Sequence, residues 1–207
     1  MSFLQFLGLQ IGDDVPDEKT IWLFKEQLKE KGLSKKLFEL FTHKLISNGI
    51  VAKEGTIVDA SFVNVPKQRN TREENKQIKE DKIPQSFEDN QHKKSKKDCD
   101  ARWTTKGGQR EYGYKDHISS DQKSKIIKRA YRNKPLTNTE HKENYKHSKT
   151  RVRVEHIFGA LTSQMNNALN LTSIGIDRIK STIGLMNLTY NLVRYEQLVR
   201  LKKVKIV

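Results

Sequence analysis

Gly55-Thr-Ile-Val-Asp-Ala-Ser-Phe-Val-Asn-Val-Pro66 reads as a β-strand carrying one carboxylate, Asp59, through an apolar run. β-Branched and aromatic residues fill the run, and Gly55 and Pro66 bound it. A carboxylate in such a strand is costly unless it is paired or bound to a cation. The chain around it is strongly basic. It has 29 Lys and 11 Arg against 25 Asp and Glu, a formal net charge of +15. That charge points to a polyanionic partner, and an acid held amid it points to a metal.

The 207 residues suffice for one ordinary core or two small ones. A hydrophobic fraction of 34% and a mean hydropathy of −0.80 leave some segment solvated or wrapped around a partner. The basic excess is uneven: residues 1–64 sum to −1, residues 65–110 to +5 and residues 122–154 to +9. A membrane surface would call for a basic amphipathic helix, and no segment has that pattern. Nucleic acid is the better partner. Cys99 is the only cysteine, which excludes a disulfide framework and a cysteine-based zinc site. The N-terminus lacks a basic leader, and no run of roughly 18 apolar residues occurs. The expectation is a cytoplasmic protein with no membrane partner.

Two helices are expected before the strand. Residues 17–29 place Ile21, Phe24 and Leu28 on one face, with Asp17 as cap and Gly32 as stop. Ser34 is the expected cap of a second helix bearing Leu37, Phe38, Phe41 and Leu45, ended by Asn48-Gly49. Near-neutral charge makes this hairpin a packing module rather than a DNA reader. Residues 67–110 read as a solvated basic loop or a segment ordered by a partner, with Gly107-Gly108 as a turn. Residues 110–119 alternate as a second strand, and 124–130 hold a third around Ile126-Ile127. From Arg151, apolar residues Val154, Ile157, Phe158, Leu161 and Met165 recur at helical spacing. A last helix over about 177–201 carries Ile179, Ile183, Met186, Tyr190 and Val193.

Four stretches, in order, carry a resemblance: SFLQFLGLQIGDDVPDEKTIWLFKEQL, IVDASFVNVPKQRNTREEN, DCDARWTTKGGQREYGYKDHI and NKPL…HSKTRVRVEHIFGAL. Together they resemble DDE transposases of bacterial insertion sequences, in the insertion-sequence-five branch. The resemblance implies an α/β fold with a truncated RNase H-like transposase core, an N-terminal helical hairpin and C-terminal helices. Its domains would be a helical region at 1–52 and a transposase domain at 53–207 with a basic insertion at 66–110. It further implies Mg²⁺ or Mn²⁺ and the cutting and joining of transposon-end DNA. In two-metal phosphodiester chemistry, carboxylates from separate elements converge on ions roughly 3.5–4 Å apart. By resemblance Asp59 in IVDAS and Glu155 in RVRVEHIFG are metal ligands and catalytic residues. Arg151, one turn before Glu155, falls on the Arg of the family's Tyr-Arg-Glu-Lys signature, whose Tyr and Lys are replaced by Ser148 and Thr162.

The second Asp of the family has no counterpart. Lys125-Ile-Ile-Lys-Arg runs straight into Ala-Tyr-Arg-Asn-Lys-Pro135, and only Glu140 and Glu143 are acidic between Asp121 and Glu155. A helix and strand of about 20–30 residues are missing there. The expectation is an internal deletion near 128–135, a shortened N-terminus and impaired catalysis. Asp116 and His117 alternate along their strand, so only one can face the site as a substitute ligand. A surface strand pair is the simpler reading of both. Expected phosphate contacts are Lys93, Lys94, Lys96, Lys97, Arg129, Arg132, Lys134, Lys149 and Arg153, which position DNA without reading sequence. Two functions stay open: a DNA transposase, or a non-catalytic remnant that binds DNA or an intact transposase. Homo-oligomerisation is the other expected association. Loss of an inner strand should leave apolar surface on the late helices exposed.

Overall fold

The computed structural model describes residues 8–51, 55–130, 148–165 and 168–204. Helix α1 (Glu18–Glu30) starts as expected, with Asp17 Oδ1 accepting from the Thr20 amide at 2.7 Å. Gly32, at φ 61°, both ends α1 and N-caps α2 (Leu33–Ser47). Only glycine takes that left-handed turn without strain. Ser34 is therefore not the cap: it lies buried inside the first turn of α2, its hydroxyl 2.6 Å from that of Ser181.

Strand β1 (Thr56–Asn64) follows, and then the basic insertion, which is not the solvated loop its composition suggests. It folds as three short helices, α3 (Arg72–Lys79), α4 (Gln85–Glu88) and α5 (Gln91–Ser95). A capping box organises the first, with Thr71 and Glu74 each bonding the other's backbone amide. Glu74 is buried and also accepts from Lys93 Nζ at 2.6 Å and Ser86 Oγ at 2.8 Å. Lys93 and Lys97 both sit over the ring of Phe87, which is wholly buried. A few buried side chains, Ile78 and Phe87 with the Glu74 carboxylate, order a segment of otherwise polar composition.

Strand β2 (Arg102–Lys106), which the sequence reading missed, pairs through Gly107-Gly108 with β3 (Gln109–Asp121). Both glycines have positive φ, as a tight hairpin turn requires. β3 is the centre of an antiparallel sheet. β1 runs along one side, from Thr56 opposite Asp121 to Asn64 opposite Gly113. On the other side β2 meets one end of β3 and β4 (Ile127–Ala130) meets the other. The three expected strands thus form one sheet, with boundaries moved by a few residues. Among the described residues, the outer edge of β1 is met only at its end. There Asn64 donates to the Leu169 carbonyl and accepts from the Leu171 amide, both at 2.8 Å.

Helix α6 (Ser148–Ser163) packs on β1, and α7 (Ile176–Arg200) packs on β4, α6 and the hairpin. They cover one face of the sheet. Ile57, Val63 and Ile118 join Ile157 and Leu161 of α6 and Ile179, Ile183 and Met186 of α7 in one buried cluster. The apolar spacing read from the sequence is that of these helices. Three side chains fasten α7 to the turn before β4. Tyr190 donates to the Lys125 carbonyl, Arg194 Nε to the Ser124 carbonyl, and Asn191 bonds both the amide and carbonyl of Ile127 at 2.9 Å. Asn191 thereby stands in for a neighbouring strand. The exposed apolar surface lies chiefly on the hairpin rather than the late helices. Ile21, Trp22, Leu23, Phe24, Leu37 and Leu40 point outward, while α7 adds Leu192 and Val193. Of the expected α1 face only Leu28 is buried.

Two consequences can be measured. A Cβ on Gly113 would fall 2.0 Å from the Val63 carbonyl oxygen, backbone that cannot rotate away. Gly113→Ala should lower stability by about 1–3 kcal/mol or more, read from urea unfolding. Glu74 is held down to about 2, first by Lys93, then by the Thr71 amide and Ser86, against the opposing effect of burial. Its folded value lies below its ordinary 4.5, so its stabilisation is complete above that pH and is lost as pH falls toward 2. Glu74→Gln should therefore cost stability at neutral pH and flatten the fall in melting temperature on acidification.

Candidate functional site

The two acids expected to hold a metal, Asp59 and Glu155, come from β1 and from α6, which packs on it. Residues directly opposite in an antiparallel pair share a face. Asp59 is opposite Ile118, which is wholly buried, so the strand acid sits on the helix-covered face. It is half-buried, and its Oδ1 accepts from the Ala60 amide at 2.9 Å. Ala60 has the same outward parity as Asn64, so this bond satisfies an amide on the open edge of β1.

Glu155 stands differently. α6 turns Ile157 and Leu161 inward, and Glu155 falls on its exposed flank. Lys149, Arg151 and Arg153 lie in the same helix ahead of it, but their side chains are outside the described set, as is that of Arg129 on β4. Arg132, Lys134, Glu140 and Glu143 lie outside the described residues altogether. Among the described residues, no three His, Cys, Asp or Glu side chains come together to hold a metal ion. A three-carboxylate, two-metal centre is therefore not assembled by them.

What does adjoin Asp59 is Asp116. It is opposite Ser61, on the same face and one diagonal step from Asp59. The surface-pair reading fails for it: Asp116 is 3% exposed, while His117 lies on the other face. Burial pushes the Asp116 carboxyl up to about 6, and neighbouring Asn187 of α7 opposes part of that rise. Yet Asp116 Oδ2 and both amide atoms of Asn187 complete no hydrogen bond. Asn187 escaped the sequence reading, although Ile183, Asn187 and Asn191 follow each other at spacings of four on the buried side of α7. Polar residues inside an apolar stripe were the available signal.

A second buried acid, Asp98, was also missed. It accepts from the Tyr114 hydroxyl at 2.6 and 2.7 Å, the Asp100 and Ala101 amides at 3.0 Å and the Gly175 amide at 3.1 Å. Those bonds saturate it, so its part is structural. Burial, and then Asp98, push the Tyr114 hydroxyl well above its ordinary range, which keeps it a donor.

The expected phosphate contacts divide. Lys94 and Lys96 are exposed. Lys93 is bound to Glu74, and Lys97 donates to the Arg69 carbonyl and Asn70 Oδ1, both at 2.7 Å. Trp103 is half-exposed and leans on Tyr112 with ring centroids 5.1 Å apart. Cys99 is a partly buried free thiol, pushed up chiefly by burial. No helix among the described residues is long and apolar enough to cross a membrane.

No solved structure matches the chain significantly. Residues 121–192 match the family described as the transposase DDE domain, a stretch that takes in β4, α6 and most of α7. Glu155, Arg151 and Asn187 lie inside it and Asp59 lies before it. The match makes this third of the chain similar to a transposase DDE domain.

Proposed function

We propose that this protein derives from a DNA transposase of the insertion-sequence-five branch, with an RNase H-like core shortened by an internal deletion, and that it binds DNA with impaired strand-transfer chemistry. The observation that carries the reading is the transposase DDE match over 121–192, which includes the helix α6 that packs on the strand of Asp59. In this reading Asp59 and Glu155 are the surviving metal ligands for Mg²⁺ or Mn²⁺, and Arg151 orients Glu155 or contacts a phosphate. A bound divalent cation would polarise a phosphodiester oxygen. Asp59 has a strand to fix it, which suits a ligand, whereas Glu155 must turn inward from the exposed flank of α6. Lys94, Lys96, Arg129, Arg132, Lys134, Lys149 and Arg153 contact the DNA backbone, with Lys93 and Lys97 holding the insertion in shape. The cytoplasm is the proposed location.

The non-catalytic alternative is favoured by one observation, the lack of a three-ligand cluster among the described residues. In that form the protein is a remnant whose hairpin, with Trp22 and Phe24 more than half exposed, associates with a second copy or an intact transposase.

Both forms bind DNA. Affinity should show little sequence preference and fall steeply with salt, with a slope of log K against log salt of about −0.9 per phosphate neutralised. Replacing Lys94 and Lys96 by Ala should reduce that slope by about 0.9 each. Binding that is constant from low to moderate salt would refute this. With DNA carrying the element's own ends and Mg²⁺ or Mn²⁺, no strand transfer is expected. A lost ligand removes several kcal/mol of transition-state stabilisation, a thousands-fold loss at about 1.36 kcal/mol per tenfold. Product formation abolished by Asp59→Ala would show a complete site instead.

A further inference from the structure

A groove runs between α6 and α7. His156 and Gln164 of α6 line it with Tyr190, Arg194 and Gln197 of α7, Lys125 comes from the turn before β4, and the volume is about 270 Å³. No carboxylate is among the described residues that line it. The larger cleft between the hairpin and α7 differs. Lys29, Lys35 and Lys180 stand there beside Glu30 and Asp177, and Lys29 is already paired with Glu26. That cleft compensates its own charge. Arg194 has no such compensation. Its Nε donates to the Ser124 carbonyl at 2.8 Å and its Nη1 to Gln197 Oε1 at 3.1 Å, both neutral acceptors. These bonds fix the plane of a half-buried guanidinium while its Nη2 has no partner among the described residues. A cation oriented in advance, with no acid beside it, favours an anion.

We propose that this groove binds one phosphate of a single DNA strand, with Arg194 as the main contact and His156 and Gln164 as donors from the facing helix. The proposal rests on reading the protein as a DNA binder and names where one strand lies. The planar guanidinium matches a phosphate edge, and Lys125 adds positive charge at the same place. The volume falls just under the roughly 300–1,000 Å³ of ordinary ligand sites, which leaves room for a phosphate with its sugar. Met165 and the half-exposed Val193 give the sugar an apolar wall. Packed helices stand about 8–10 Å apart, so a groove between them takes one strand and excludes a duplex. The lysines and arginines of the insertion and the basic tract hold DNA by charge alone. The groove adds a preference for a strand separated from its complement, as positively charged channels for single strands do.

The test is fluorescence anisotropy of the full chain with a labelled single-stranded oligonucleotide and with its blunt duplex at equal salt. His156 and Gln164 are exposed, so His156→Glu and Gln164→Glu add a carboxylate to the groove without disturbing the core. Gln27→Glu on the exposed side of α1 makes the same charge change elsewhere. Both groove variants should weaken single-strand binding about tenfold or more, the worth of one charge-assisted hydrogen bond, and Gln27→Glu by no more than about twofold. Arg194→Lys, which keeps the charge and loses the fork, should weaken it as well, with the unfolding midpoint recorded as a check on folding. Duplex binding should fall no further in the groove variants than in Gln27→Glu. If wild type binds no DNA, the DNA reading and this inference fall together. If wild type binds and the groove variants follow Gln27→Glu, this inference alone falls. Equal losses for duplex and single strand overturn the assignment to one strand. Inorganic phosphate should compete no better than chloride at equal ionic strength; stronger competition makes the groove a site for a small free anion and overturns the proposal. A single strand carrying 5-bromodeoxyuridine, irradiated on wild type, should cross-link within residues 156–165 or 190–197, and adducts found only elsewhere overturn it without any variant.

Discussion

The carboxylate of Asp98 gathers β3, the start of β2 and the head of α7 at one point. Its two oxygens take the Tyr114 hydroxyl from β3, the amides that open β2 and the Gly175 amide at the head of α7. Its own amide donates to Gln68, and its carbonyl accepts from Tyr112. A charge 1% exposed is tolerable only when its lone pairs are filled, and here they are. The consequence is positional. The insertion closes against the sheet at one end, and α7 begins at a fixed point over the same sheet. The register of α7 then decides which residues, Ile183 and Asn187 among them, meet the inner face of β3.

The contrast with Asp116 is instructive. Both acids are buried on the inner side of β3 and both adjoin α7. One has both oxygens filled; the other has only the amide of Asn187 beside it, and its Oδ2 completes no well-formed hydrogen bond among the described residues. Burial alone therefore does not say how an acid is accommodated. The hydrogen-bond count around it does.

Much of this architecture was legible in residue patterns. Alternation over 110–119 and the apolar run at 57–63 predicted the central pairing, because a half-buried strand must alternate and its partner must match it. Spacings of three and four placed the last two helices. The insertion was illegible because its order depends on a few scattered residues, Glu74, Ile78, Phe87 and Asp98, too few to register against so many lysines. The outward turn of Ile21 and Phe24 was illegible for a different reason. Amphipathic spacing says that a helix has an apolar face, not that the chain provides something to cover it. Asp59 was legible as a misplaced acid, but its neighbour Asp116 depended on cross-strand register, which a single strand does not reveal.

The hairpin's attachment also sets a timetable. α1 and α2 are made well before their partner α7: Glu26 bonds Arg178 and Ser34 meets Ser181 across separations of 152 and 147 residues. At ribosomal rates of about 5–20 residues per second, those helices wait about 7–30 s for α7. During that interval the Ile21–Phe24 run and the faces that α7 will later cover are open together. The hairpin thus shows more apolar surface while the chain is being made than it does in the finished fold.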